Sequence, residues 1–150
     1  MNNIRITKEF DFEMAHALWN YDGACKNIHG HSYRLFVTVI GNPVENESDS
    51  GFGMVIDFKE LKSIVNNQIV DIFDHSLVVY RKADGPALAM VKNMYDKVYV
   101  FDFQPTCENL VIYFASVLKK HLPGKITLFS IKLYETANSY AEWFTSDNPL

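Results

Sequence analysis

The sequence has few cysteines, no long apolar run and no strong excess of positive or negative charge. Two cysteines cannot build the disulfide framework on which small secreted domains depend. A formal net charge of −4 offers neither a basic surface for nucleic acid nor an acidic tail for a charged partner. No apolar run is long enough to cross a bilayer, and the first residues alternate like a strand and do not form a signal segment. We therefore expect a cytoplasmic protein that binds neither membrane nor nucleic acid.

The composition predicts one domain over residues 1–150, because 150 residues that are 48% hydrophobic can bury a core without disulfides. The spacing of apolar residues indicates the order strand, strand, helix, insert, helix, strand, strand. The predicted ranges are 4–16, 29–41, 57–72, about 80–104 for the insert, 106–122, 125–135 and 140–144. Asp57 and Thr106 are expected to cap the two helices.

Three of the five histidines, His16, His29 and His31, fall in phase with the first two predicted strands. If these strands pair as an antiparallel hairpin, all three imidazoles lie at the same end of it. Three histidines with an open fourth position are typical of catalytic zinc, and we favour this interpretation over polar residues at solvated strand ends. Nickel, cobalt or copper would also bind nitrogen ligands, so zinc is chosen on availability.

Cys25 lies between these motifs, next to Lys26. It is either a fourth ligand that closes a structural site, or a thiolate that acts as a base and nucleophile beside the metal. The sequence leaves both alternatives open. A domain of this size needs no structural metal to fold, so catalysis is favoured.

Two further positions carry groups suited to proton transfer or to binding. Asp74 precedes His75, and a neighbouring carboxylate fixes the tautomer of an imidazole; the alternative is a histidine that stabilises a helix C-terminus. Glu135 continues the apolar face of a strand, where it can accept two hydrogen bonds from a heterocycle; the alternative is a solvated strand end.

Taken together, the motifs of this chain resemble those of the 6-pyruvoyl-tetrahydropterin synthase and 6-carboxytetrahydropterin synthase family. Each motif alone is weak, but they occur in the family's order and span most of the chain. The matching segments are Phe12-Glu13-Met14-Ala15-His16, Cys25-Lys26-Asn27-Ile28-His29-Gly30-His31, Asp57-Phe58, Asp74-His75, Pro105-Thr106-Cys107-Glu108-Asn109 and Glu135-Thr136.

The resemblance implies an α+β tunnelling fold, with a four-stranded antiparallel sheet, two helices on one face and the order ββααββ. It also implies homo-oligomers, trimers or hexamers, in which the sheets join into a barrel and the sites lie between subunits. The roles that it implies are zinc ligands at His16, His29 and His31, a catalytic thiol at Cys25, a proton relay at Asp74 and His75, a pterin-anchoring carboxylate at Glu135 and a pterin contact at Thr106.

The spacing between Cys25 and His29 separates branches of this family. Three residues lie between them, which is similar to the bacterial 6-carboxytetrahydropterin synthases of queuosine biosynthesis, whereas the pyruvoyl branch has a longer segment and a folate-linked branch has Glu in place of the thiol. The resemblance implies zinc-dependent conversion of 7,8-dihydroneopterin triphosphate to 6-carboxy-5,6,7,8-tetrahydropterin, acetaldehyde and triphosphate, without a redox cofactor. The alternatives are the pyruvoyl activity, without carbon–carbon cleavage, and a non-enzymatic zinc- or pterin-binding protein. Lys26 and Arg34 are the nearest candidates in sequence for binding the triphosphate.

Overall fold

A computed structural model describes residues 2–83 and 85–149 of the chain; Asp84, inside the predicted insert, and the two terminal residues of the predicted domain lie outside the described residues. Six strands form one sheet in the order β4-β3-β1-β2-β5-β6. The strands are β1 (Ile4–His16), β2 (His29–Gly41), β3 (Ser76–Tyr80), β4 (Val98–Phe101), β5 (Ile126–Thr136) and β6 (Ser139–Phe144). The helices are α1 (Phe58–Val65), α2 (Asp71–Phe73), α3 (Pro86–Met94) and α4 (Cys107–His121), and a π-helical segment (Asn66–Val70) joins α1 to α2.

The predicted hairpin is confirmed, because β1 and β2 pair antiparallel along their full length. Phe12 lies opposite Tyr33, and His16 lies opposite His29. Side chains of alternate residues point to the same side of a strand, so the hairpin carries one buried face and one exposed face. The buried side chains are Phe10, Phe12, Met14, His16, Tyr33, Leu35, Val37 and Val39.

Helices cover the buried face of the sheet, with apolar residues at helical spacing. Val65, Ile69 and Phe73 follow one another at intervals of four residues and are all fully buried, so the π-helical segment does not break this stripe. The predicted helix caps are present: Asp57 Oδ1 accepts a hydrogen bond from Lys59 N at 2.7 Å, and Thr106 Oγ1 accepts one from Asn109 N at 3.4 Å.

The predicted four-stranded antiparallel sheet is wrong in strand number and in direction. The structure has six strands, and β3 pairs parallel with β1 while β4 pairs parallel with β3. The two extra strands are short. Apart from Ser76 at the start of β3, both consist of apolar or aromatic residues without the alternation that marks a half-buried strand. The predicted insert therefore contributes Tyr80 and the whole of β4 to the sheet, and α3 forms the connection between β3 and β4.

Within the described chain, parts of two strand edges in the sheet have no neighbouring strand, one on β1 and one on β6. β3 covers β1 only at Met14–His16, so the edge of β1 before Met14 is uncovered, and β6 pairs only with β5. Within the described residues, none of the helices has the length and apolar character that a membrane span requires.

Candidate metal and active site

The three histidines of the hairpin converge at one end of the sheet, as the strand phase predicted. His16 ends β1, and His29 and His31 begin β2. Nε2 of His16 and Nε2 of His29 are 3.0 Å apart, and the potential ligand atoms of all three lie within 4.8 Å of one another. Nitrogen ligands about 2.0–2.1 Å from one tetrahedral ion are separated by roughly 3.4 Å. The spacing therefore fits a single metal ion.

Backbone carbonyls orient two of these imidazoles. Nδ1 of His16 donates to the carbonyl oxygen of Pro105 at 2.7 Å, and Nδ1 of His29 donates to the carbonyl oxygen of Asn27 at 2.8 Å. Because a carbonyl oxygen only accepts hydrogen bonds, the proton sits on Nδ1 and the Nε2 lone pair is left for a metal. This is the outer-shell arrangement that histidine ligands normally have.

Burial favours the neutral imidazoles of His16 and His31, and the neutral imidazole is the form that binds metals. His16 is only 2% exposed, and desolvation lowers the pKa of its imidazole although Pro105 and Glu135 act in the opposite direction. Desolvation also lowers the pKa of His31. The donor set, its geometry and its protonation all fit a divalent metal ion.

Glu135 lies beside the triad and is not solvated at a free strand end. Its Oε1 is 3.6 Å from Nε2 of His16 and 3.9 Å from Nε2 of His31. The pairing of β5 with β6 is irregular between Tyr134 and Thr136, so the carboxylate projects from a bulge. Its position is suited to accept hydrogen bonds from a ligand held at the metal.

Tyr33 is the neighbour of Glu135 that the sequence analysis missed. Its hydroxyl donates to Glu135 Oε1 at 3.5 Å, and burial raises the pKa of the phenol far above its ordinary value. The side chain therefore remains a hydrogen-bond donor at physiological pH. Tyr33 shares the strand phase of His29 and His31, so this phase was a signal that could have identified it.

Cys25 lies in a short 3₁₀ turn, Ala24–Lys26, on the loop between β1 and β2. Its side chain is partly buried, and its carbonyl oxygen accepts a hydrogen bond from Leu18 N at 2.9 Å, which closes the loop. Among the described residues, the group of clustered metal-ligating atoms contains the three histidines and not this thiol. The arrangement therefore leaves Cys25 outside the ligand cluster.

Asp74 and His75 form an ion pair or hydrogen bond at 3.0 Å between Oδ2 and Nδ1. Both residues are fastened to β1: Glu13 N donates to Asp74 Oδ1 at 2.9 Å, and His75 N donates to the Glu13 carbonyl oxygen at 2.7 Å. The bond from the Glu13 amide lowers the pKa of Asp74, which keeps this carboxylate charged. His75 has a positive φ of 60°, which is uncommon for a residue other than glycine, and its side chain is exposed.

A cavity of about 750 Å³ is lined by both His31 of the triad and His75. Lys97, from the region predicted as an insert, lines it as well, and its Nζ donates to the carbonyl oxygens of Asp71 at 2.7 Å and Asp74 at 2.8 Å. The lysine thus holds the backbone between Asp71 and Asp74, directly before His75. Backbone contacts of this kind leave no pattern in the sequence, which is why Lys97 was missed.

Two further predicted residues, Thr106 and Arg34, do not line this cavity. Thr106 caps α4 directly after Pro105, the residue whose carbonyl holds His16. Arg34 lies on the opposite, exposed face of the sheet, where Nη2 contacts Glu9 Oε1 at 2.6 Å. Arg34 is therefore not placed to bind a ligand at the triad.

Comparisons with known proteins agree with the motifs. The family model described as 6-pyruvoyl tetrahydropterin synthase matches residues 5–145. The chain is 33% identical over 141 residues to a 6-carboxy-5,6,7,8-tetrahydropterin synthase of Haemophilus influenzae. The aligned region covers 93% of this chain and 97% of that protein.

Solved structures are similar in fold. An uncharacterized protein from Wolinella succinogenes has a TM-score of 0.78 at 20% identity, covering 96% of this chain and 99% of that one. The 6-pyruvoyl tetrahydropterin synthase of Caenorhabditis elegans has a TM-score of 0.66 at 23% identity, covering 96% of each chain.

Proposed function

The chain belongs to the 6-pyruvoyl tetrahydropterin synthase family, and on this premise we propose that it converts 7,8-dihydroneopterin triphosphate to 6-carboxy-5,6,7,8-tetrahydropterin. The reaction takes up one water and releases acetaldehyde and triphosphate. The observation that carries the proposal is the convergence of His16, His29 and His31, with a carboxylate beside them and a thiol on the adjoining loop. The product is chosen on the three-residue spacing between Cys25 and His29 and on the activity named for the Haemophilus relative.

We propose zinc as the metal of the triad. His16, His29 and His31 would supply three neutral nitrogens, and the fourth position would stay open to substrate. Zinc bound there would supply Lewis acidity, polarising the side-chain hydroxyls of the substrate and stabilising negative charge on oxygen.

Glu135 is proposed to anchor the pterin, by accepting hydrogen bonds from its ring amide and its amino group. The Tyr33 hydroxyl donates to Oε1 of the same carboxylate and so restricts its rotation. Thr106, at the start of α4, would lie along the bound ring. The carboxylate therefore sets the orientation of the ring, and the substrate side chain is directed towards the triad.

Two groups are proposed to move protons. The Cys25 thiolate removes a proton from the substrate side chain, and His75, whose Nδ1 is held by Asp74, relays a second one. These transfers move two electrons from the side chain into the dihydropterin ring, so that the ring becomes a tetrahydropterin and the side chain is oxidised while triphosphate leaves. Cleavage of a side-chain carbon–carbon bond then releases acetaldehyde, and no external oxidant or reductant is required.

We further propose that the chain forms trimers or hexamers. The edge of β1 before Met14 and the edge of β6 are uncovered within the described chain, and exposed strand edges favour pairing with another chain. Joining these edges would close the sheets of several subunits into a barrel. Native mass spectrometry tests this, and a monomer at working concentration would contradict it.

Because the reaction depends on a free thiol, we place the activity in the reducing cytoplasm.

The test of function is incubation of the zinc-loaded protein with 7,8-dihydroneopterin triphosphate, with products identified by mass and acetaldehyde assayed in parallel. Carboxytetrahydropterin and acetaldehyde in equal amounts support the proposal. Triphosphate release with a pyruvoyl product would assign the chain to the pyruvoyl activity instead. Unchanged substrate would favour a non-enzymatic zinc- or pterin-binding protein.

A further inference from the structure

The side-chain amide of Gln104 makes two hydrogen bonds to the backbone of a single residue, Trp19. Trp19 N donates to Gln104 Oε1 at 2.9 Å, and Gln104 Nε2 donates to the Trp19 carbonyl oxygen at 3.0 Å. The two residues are 85 positions apart in sequence. The amide therefore satisfies both polar backbone groups of Trp19, much as a neighbouring strand would do.

Trp19 belongs to the loop that carries Cys25. The preceding residue, Leu18, donates from its backbone N to the Cys25 carbonyl oxygen at 2.9 Å. Within the turn around Cys25, Lys26 N donates to the Gly23 carbonyl oxygen and Asn27 N donates to the Ala24 carbonyl oxygen, and both bonds are local. A shift of Trp19 is therefore transmitted to the thiol through Leu18.

Gln104 is itself held in place by hydrogen bonds to the start of α4. Its carbonyl oxygen accepts hydrogen bonds from Asn109 Nδ2 at 3.0 Å and from Thr106 N at 2.8 Å, which fix it to the start of α4. The carbonyl of the next residue, Pro105, accepts the bond from Nδ1 of His16. Two consecutive residues thus hold the thiol loop and a metal ligand.

We propose that Gln104 is a positioning residue, which sets the distance between the Cys25 thiol and the His16–His29–His31 triad through its two bonds to Trp19. The inference rests on the proposed function, because it assumes that the thiol acts on a substrate held at the triad. The ring of Trp19 gives a second but less directional link, since Lys82 Nζ lies 5.1 Å above it.

The test compares wild type, Gln104→Met and Lys82→Ala as zinc-loaded proteins. Gln104→Met keeps the length of the side chain and removes both hydrogen bonds, whereas Lys82→Ala removes only the cation above the Trp19 ring. We expect kcat of Gln104→Met to fall by about 10- to 100-fold, because small misplacements of a reacting group have effects of this size. KM and zinc content should stay close to wild type, and Lys82→Ala should keep wild-type kcat.

Two readouts are independent of turnover. Hydrogen exchange at the Trp19 amide should become faster in Gln104→Met, and iodoacetamide should label Cys25 faster as the loop opens, with the buried Cys107 as an internal reference. They separate the two proposals. If the wild type lacks pterin activity but Gln104→Met still differs from it in exchange and labelling, Gln104 holds the loop and the proposed function is refuted.

Wild-type kcat, exchange and labelling in Gln104→Met would overturn the inference. If this variant loses zinc or fails to fold, Gln104→Glu decides, because it keeps the acceptor for Trp19 N and loses the donor to Trp19 O. An intermediate fall in kcat supports the inference, and wild-type kcat overturns it.

Discussion

The backbone amide of His75 donates to the carbonyl oxygen of Glu13 at 2.7 Å, so the Asp74–His75 pair is attached to the strand that ends in His16 of the triad. Glu13 lies three residues before His16 on β1. Its own amide binds Asp74, and therefore one residue of a rigid strand orients both members of the pair. The proposed metal site and the proposed proton relay are therefore held by the same strand but formed by different side chains, so each can be removed on its own.

His31→Ala should abolish metal binding. The variant leaves two imidazoles and an open coordination sphere, which is too few protein ligands for a stable zinc site. We expect less than about one-tenth of an ion per chain after dialysis, measured by elemental analysis, and loss of turnover with it.

His121→Ala is the matched control for this experiment. His121 lies at the C-terminus of α4, where its Nδ1 contacts the Val117 carbonyl oxygen, and it is exposed. This variant should keep a full complement of metal. Full metal occupancy in His31→Ala would show that the triad is not the binding site.

Cys25→Ala should bind zinc and pterin normally but lose turnover by about 10²- to 10⁴-fold, the usual contribution of a positioned acid or base. The thiol lies outside the group of clustered ligand atoms, so its removal leaves the three nitrogens in place. Metal content, pterin affinity and product formation are measured on the same preparation.

Cys107→Ala serves as the thiol control. Burial raises the pKa of Cys107 to about 12, and its Sγ donates to the Leu133 carbonyl oxygen at 3.2 Å, so it is a neutral core residue. This variant should lose some stability and keep its kcat. Near-normal turnover in Cys25→Ala would refute the catalytic assignment, and loss of zinc would revive its alternative role as a ligand.

The triad could be predicted from sequence because strand phase has a period of two and the hairpin is local. Once β1 and β2 pair, the positions of His16, His29 and His31 follow from alternation alone. The helix caps at Asp57 and Thr106 could be predicted as well, because a cap depends on side chains close in sequence.

The parallel strands and the backbone contacts could not be predicted in this way. β3 pairs with β1 across about sixty residues of chain, and strands of five and four residues offer too little pattern to distinguish them from an apolar loop. The carbonyl oxygens of Asn27 and Pro105 orient the imidazoles, but every residue has a carbonyl, so nothing in the sequence marks these two.

Glu135→Gln should weaken pterin binding and leave the metal in place. The glutamine has the same size but only one acceptor oxygen, so the second hydrogen bond and the negative charge are lost. Hydrogen bonds to charged groups contribute about 1.5–3 kcal/mol, which corresponds to a roughly 10- to 100-fold rise in Kd. Binding of neopterin, followed by its fluorescence, gives the Kd without turnover.

Glu142→Gln is the control, because Glu142 pairs with Lys132 at 3.0 Å away from the triad. It should leave the Kd for neopterin unchanged. Since Glu135 Oε1 lies 3.6 Å from Nε2 of His16, a direct metal contact is the competing role. Loss of metal from Glu135→Gln would favour that role over pterin anchoring.

Asp74→Asn should flatten the acid side of the stability curve of the metal-free protein. The amide of Glu13 lowers the pKa of Asp74 in the folded state below its ordinary value of 3.8. A group with a depressed folded pKa stabilises the fold above its unfolded pKa, and this contribution is lost as pH falls through the folded pKa. The wild type should therefore exceed the variant in unfolding free energy at neutral pH, and the difference should shrink below about pH 4.

The measurement is urea unfolding at several pH values, with Asp102→Asn as a reference at a carboxylate that is 93% exposed. Asparagine keeps an oxygen to accept the Glu13 amide, so the comparison isolates the charge of Asp74 from its hydrogen bond. A difference between Asp74→Asn and wild type that stays constant across this range would mean that the Glu13 amide does not favour the charged carboxylate.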